Sequence, residues 1–185
     1  MESVSPSAAA FPRAEVRSLR ALAIRWTLGL GALGAAFYLN YRTGTYIDRI
    51  GPGLLPARDF LFEHTPFLTF PNVHGWGFVG FLAVLTLGVA LEGTLERAPF
   101  ILWAYALIIA VRALFTVLTP LGLPPEAPTF ENYSVRSAFQ YFDFRHTLFF
   151  SGHTAFPFLG FLLSRRPWVR WACLGFSVLL ATSVV

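Results

Sequence analysis

Five apolar stretches, at residues 21–41, 75–91, 99–118, 148–163 and 168–185, restrict the fold of this chain more than any other feature. Each approaches the roughly 20 residues that an α-helix needs to cross a hydrocarbon core about 30 Å thick. With 55% hydrophobic residues, 13% charged residues and a mean hydropathy of +0.58, the chain has too little polar surface for a water-facing exterior. The expectation is an all-α fold, a polytopic transmembrane helical bundle with five helices in this chain. A cytoplasmic tail at 1–20 would precede a membrane domain at 21–185. The shortest stretches need flanking aromatic residues to complete a crossing.

The 14 basic residues are all arginines, and the isoelectric point is near 9.7. They fall mainly between the apolar stretches and form no solvated basic face, which argues against a nucleic-acid partner. Arg13, Arg17 and Arg20 precede the first stretch and Arg25 lies at its start; Arg165, Arg166 and Arg170 surround the link before the fifth. Positive charge favours the cytoplasmic side, so the N-terminus and that link belong there, and the loops at 42–74 and 119–147 face outward. Trp26, Trp76, Trp168 and Trp171 lie near stretch ends, where indole rings favour the interface, while Trp103 lies a turn inside the third. Cys173 is the single cysteine, which excludes an intramolecular disulfide and leaves the redox compartment open.

The basic leader and the small residues around Gly31 to Ala36 have the outline of a signal peptide. The leader is long, however, and the apolar stretch continues through Phe37, Tyr38 and Leu39, so a retained first helix is expected. Residues 1–10 read as a disordered tail and residues 15–25 as an interfacial helix. In the first outer loop Gly51-Pro52-Gly53 and Pro56 are turn signals. The second carries Pro120, Pro124, Pro125 and Pro128, then aromatic residues interspersed with Glu131, Arg136 and Asp143. That composition fits a shelf on the headgroup region, with a plain connector as the alternative.

Membrane burial does not call for Ser151-Gly152-His153-Thr154 at the mouth of the fourth stretch. Ser151 is placed to cap a helix whose first N–H groups, unpaired and partly positive, then point at an anion. Gly152 would admit a tetrahedral oxyanion closely. Pro157 lacks an N–H, so the His153 carbonyl loses its helical partner and the helix start should bend. A buried histidine bonded to a neighbouring helix is the plainer alternative.

Arg112 lies inside the third stretch, where a charge is costly unless it meets a polar cavity or the interface. At about 1.5 Å per residue from Pro99 it sits roughly 20 Å up, level with His153. Thr116 and Pro120 follow on its face. Arginine there can bind a phosphate bidentately, or it can simply snorkel to the interface.

Together, Arg112-Ala-Leu-Phe-Thr116-Val-Leu-Thr-Pro120, the proline-rich loop and Phe149-Phe150-Ser151-Gly152-His153-Thr154 resemble signature blocks of the sphingomyelin synthase-like family, within the type 2 phosphatidic acid phosphatase superfamily. Leu54-Leu55-Pro56-Ala57-Arg58-Asp59 echoes a further block. The resemblance implies six transmembrane helices, an extracytoplasmic active site and metal-free, cofactor-free phosphotransfer through a phosphohistidine. By position, His153 would be the acid that protonates the leaving group. Arg112, Ser151, Gly152 and Thr154 would bind phosphate, with Asp59, Asp143 and Arg145 as accessory groups.

Two departures stand out. The family has an acidic residue four positions before the serine, where this chain has Thr147. It also has a nucleophilic histidine and its aspartate in a His-x-x-x-Asp block, whereas no histidine, aspartate or glutamate follows His153 here. The fifth stretch reaches Val185 before completing a crossing, so the expectation is a piece of a longer protein whose continuation carries that pair and a sixth helix. His146 with nearby Asp143 is a weak substitute. His64, His74, His146 and His153 lack metal-ligand spacing.

The leading expectation is an integral-membrane lipid phosphatase or headgroup phosphotransferase, acting on a phospholipid or other lipid phosphate. The alternatives are a non-catalytic membrane protein of the same fold that binds lipid headgroups or a partner, and a small transporter with Arg112 on its path. Glycines 29, 31 and 34 offer a small-residue seam for packing within or between chains.

Overall fold

The computed structural model describes residues 13–56, 71–91, 96–123, 144, 146 and 151–182. Among them are five α-helices and no strand: α1 (Arg13–Ile50), α2 (Pro71–Leu91), α3 (Ala98–Leu118), α4 (Gly152–Leu163) and α5 (Pro167–Thr182). A 3₁₀ turn, Gly51–Gly53, closes α1. An isolated parallel bridge joins Pro56 to Gly122. Two helices are long and apolar enough to cross a membrane, the segment Ser18–Gly53 and Ala98–Leu118. Gly75–Leu91 and Gly152–Leu163 are shorter apolar helices.

The contacts fix the helix directions. Gly29 meets Pro99 and Leu102, and Ala36 packs with Ala106 and Ile109, so α1 and α3 run parallel. Against α3, α4 runs antiparallel: Gly152 lies beside Arg112, Tyr105 bonds to Phe156, and Arg97 donates to the Leu163 carbonyl. Helix α5 returns along both α4 and α2, with Ser177 on Thr154, Cys173 on Gly160, Leu180 on Gly77 and Val169 on Gly88. Apolar burial is in two clusters. One joins α1 and α3 through Ala36, Ala106 and Ile109; the other joins α2 and α5 through Phe81, Val169 and Cys173. Phe156 of α4 packs against both and makes them continuous.

The two ends of this array differ chemically. At one, Arg97 holds the Leu163 carbonyl at the end of α4, and Arg166 holds the Leu91 carbonyl at the end of α2. Both bonds place a cation on the unpaired, partly negative carbonyls of a helix C-terminus. Arg170 lies over the Phe161 ring, 4.6 Å from its centroid. At the other end gather Asn40, Arg112, Gly152 and His153, with Asp48 and His146 further along α1.

Several boundaries differ from expectation. The first outer loop does not begin at residue 42, because α1 continues to Ile50. No Gly-Pro breaker occurs before Gly51-Pro52. The Thr43 and Thr45 hydroxyls return to the Asn40 and Tyr41 carbonyls at 3.0 and 2.9 Å. Nor is the segment at 15–25 a separate interfacial helix, because α1 runs unbroken from Arg13. At the other end of that loop, α2 already starts at Pro71, while α4 begins at Gly152. Residues 1–12, 57–70, 124–143 and 183–185 lie outside the described residues, so the tail and the aromatic shelf do too.

Candidate functional site

The first turn of α4 is held from three sides. Ser151 occupies the N-cap position in an extended conformation, φ −73° and ψ 105°, and its carbonyl accepts the Ala155 N–H at 3.1 Å. Its side chain does not cap the helix as expected, because Oγ instead accepts the Thr154 hydroxyl at 3.2 Å. The helix continues through the fully buried Pro157. Hydroxyls from both neighbours reach carbonyls of that same turn. Tyr105 of α3 donates to the Phe156 carbonyl at 3.0 Å, and Ser177 of α5 donates to the Thr154 carbonyl at 2.9 Å. The start of α4 is thus fixed where proline has weakened the internal ladder.

Arg112 lies directly over this turn. A Cβ built on Gly152 would come 3.4 Å from Arg112 Nε and 3.5 Å from its Cδ. The missing side chain at 152 therefore makes room for the arginine, where the sequence suggested room for an oxyanion. Arg112 Nη1 donates to Asn40 Oδ1 of α1. Asn40 is 7% exposed, so its amide is a buried acceptor with an assigned task. Thr116, one turn beyond Arg112, is buried, whereas Pro120 lies past the end of α3, so it does not share that helix face, and is exposed.

His153 points toward α2. Its ring meets Phe78 edge-on at 4.9 Å with an interplanar angle of 70°, and Phe78 also packs on Phe81 and Phe156. Arg112 and His153 therefore flank the N-terminus of α4, one on the α3 side and one on the α2 side. A phosphate ester seated on that terminus would meet a fixed cation and, one residue along, an imidazole capable of donating or accepting a proton.

His146 has a different surrounding from the one expected. Its Nδ1 is 3.0 Å from Asp48 Oδ1, and its backbone N–H donates to the same oxygen at 2.9 Å. The carboxylate is supplied by Asp48 of α1 and not by Asp143, the neighbour in sequence. The ring packs on Gly51, as Phe144 packs on Gly44. Asp48 is eight residues beyond Asn40, a rise of about 12 Å along α1. That separation keeps His146 away from a phosphate held at Arg112. The pair acts as a clip between the loop and α1.

Asp59, Asp143 and Arg145 lie outside the described residues, as do Thr147, Phe149 and Phe150. Asn40, Asp48, Tyr105 and Ser177 were missed by sequence reading. A lone amide inside an apolar stretch is the signal that would have found Asn40. Tyr105 and Ser177 carry no such signal, because single hydroxyls are common in apolar helices. Comparison with protein-family models, curated proteins and solved structures finds no match.

Proposed function

We propose that this chain is a polytopic membrane protein of the sphingomyelin synthase-like type, a lipid phosphatase or headgroup phosphotransferase. The observation that carries the reading is Arg112, held by Asn40 against Gly152 at the helix start that also bears His153. Arginine 112 offers donors to phosphate oxygens, and the first turn of α4 adds its dipole. His153 donates a proton to the leaving oxygen as the phosphorus–oxygen ester bond breaks. The phosphoryl group passes to a nucleophilic histidine, and water or a lipid alcohol then takes it, with His153 removing the acceptor's proton. No histidine, aspartate or glutamate follows His153 in this sequence, so the reading requires a nucleophilic histidine and its aspartate from another part of the protein.

The membrane assignment is supported by the outward faces of the helices. Leu107, Leu114 and Leu118 of α3 are 66%, 56% and 64% exposed, a surface suited to lipid. In the proposed orientation the N-terminus and the arginine end are cytoplasmic, and Arg112 and His153 face the extracytoplasmic side.

The test is turnover of a phosphate-ester lipid by the full-length gene product in proteoliposomes, read as phosphate release or headgroup transfer. His153→Ala should lower kcat by about 10²- to 10⁴-fold, with expression intact. Unchanged turnover in that variant would exclude the catalytic role. Absence of turnover, together with retained lipid-phosphate binding, would favour a non-catalytic headgroup-binding protein of the same fold.

A further inference from the structure

The end of the molecule opposite Arg112 carries a basic concavity. Arg25 of α1, Arg97 before α3 and Arg165 of the α4–α5 link line an open space of about 470 Å³ with Glu96 and Phe100. Arg97 and Arg112 are separated by 15 residues along α3, about 22 Å, so this concavity is distinct from the site at the start of α4. Three guanidinium groups against one carboxylate give the lining a formal charge of +2. Arg97, Arg166 and Arg170 also touch the protein, at the Leu163 carbonyl, the Leu91 carbonyl and the Phe161 ring.

A stripe of apolar side chains begins in the concavity and climbs α3. Phe100, Trp103, Leu107 and Leu114 are 59%, 50%, 66% and 56% exposed, at spacings that keep them near one face. From Phe100 to Leu114 the rise is about 21 Å, more than the roughly 15 Å depth of one leaflet's hydrocarbon. A basic cup continuous with a hydrocarbon-length apolar track matches a lipid better than a free anion. Basic pockets between membrane helices on the cytoplasmic side are suited to anionic headgroups.

We infer that this concavity binds an anionic phospholipid, its phosphodiester against Arg25, Arg97 and Arg165 and an acyl chain along Phe100, Trp103, Leu107 and Leu114. The inference rests on the membrane-spanning part of the proposed function and not on its catalytic part.

The test is native mass spectrometry of the protein released from nanodiscs containing equal phosphatidylglycerol and phosphatidylcholine. Phosphatidylglycerol should be retained preferentially. Arg25→Gln with Arg165→Gln should lower that preference by about 5-fold per arginine, while Glu96→Gln should raise it. Arg97 is kept because it also holds the Leu163 carbonyl. Resistance of the buried Cys173 to thiol reagents checks that each variant is folded. Equal retention of both lipids, or an unchanged preference in the folded double variant, would overturn the inference. So would displacement of the lipid by inorganic phosphate alone, which would indicate a free-anion site. Arg49→Gln, at an exposed arginine in the last turn of α1 at the opposite end, should leave retention unchanged, and loss of retention in that variant would place the lipid at that end.

Discussion

Arg112 illustrates how one neutral partner changes what a half-buried cation can do. Holding a guanidinium among packed helices is costly unless its donors are satisfied. Asn40 supplies an acceptor that carries no charge of its own, so it orients the side chain without neutralising it. Asn40→Ala should destabilise the fold by about 1.5–3 kcal/mol, the range for a hydrogen bond to a charged group, read by thermal unfolding in detergent. Asn40→Asp should have the opposite profile. A carboxylate in that position pairs with Arg112 and repels phosphate, so stability is kept while phosphate-ester binding, followed by calorimetry, falls at least 10-fold, a shift on the order of one ion pair. Tight binding in the folded aspartate variant would rule out Arg112 as the phosphate-binding group.

At the scale of elements, glycine serves two different ends along the chain. Gly122 N–H donates to the Leu55 carbonyl at 2.9 Å, and a Cβ there would meet the carbonyl oxygens of Leu54 and Leu55 at 2.7 and 2.9 Å. Backbone on both sides cannot yield easily, so Gly122→Ala should cost about 1–3 kcal/mol as overpacking. A Cβ added to Gly34 would have nothing within 4 Å, and Gly34→Ala should be neutral or stabilising by up to about 1 kcal/mol. Denaturant melts of the two variants side by side check the contrast. The seam of glycines in α1 divides on the same basis, Gly29 lying against Pro99 and Leu102 while Gly31 and Gly34 face open space.

Across the whole molecule, Gly160 is where four helices converge. A Cβ on it would come 3.0 Å from Cys173 Sγ, 3.2 Å from Phe81 and 3.3 Å from the Tyr105 hydroxyl, groups of α5, α2 and α3. Gly160→Val should therefore separate the helices, with a loss of about 1–3 kcal/mol or more. Cys173, fully buried and the single thiol of the chain, reports that event directly. Its alkylation should be slow in the native protein and rise in parallel with unfolding in the valine variant. Rapid labelling of native protein would contradict the packing of α4 against α5.

The sequence by itself determined the helical class, the approximate extents of α3 and α5, and the polar cluster at the start of α4. Apolar length and the scarcity of charge dictate helices wherever they occur, because backbone groups must be paired inside each segment. It also identified Arg112 as a costly charge that needs a reason. Tertiary structure alone decided what answers that charge, since Asn40 lies 72 residues away in the chain and Gly152 another 40 beyond Arg112. The Asp48–His146 clip and the Tyr105 and Ser177 bonds that hold α4 are equally non-local. Periodicity records which face of a helix is apolar, but not which helix it meets or at what register, and the site is made of those meetings.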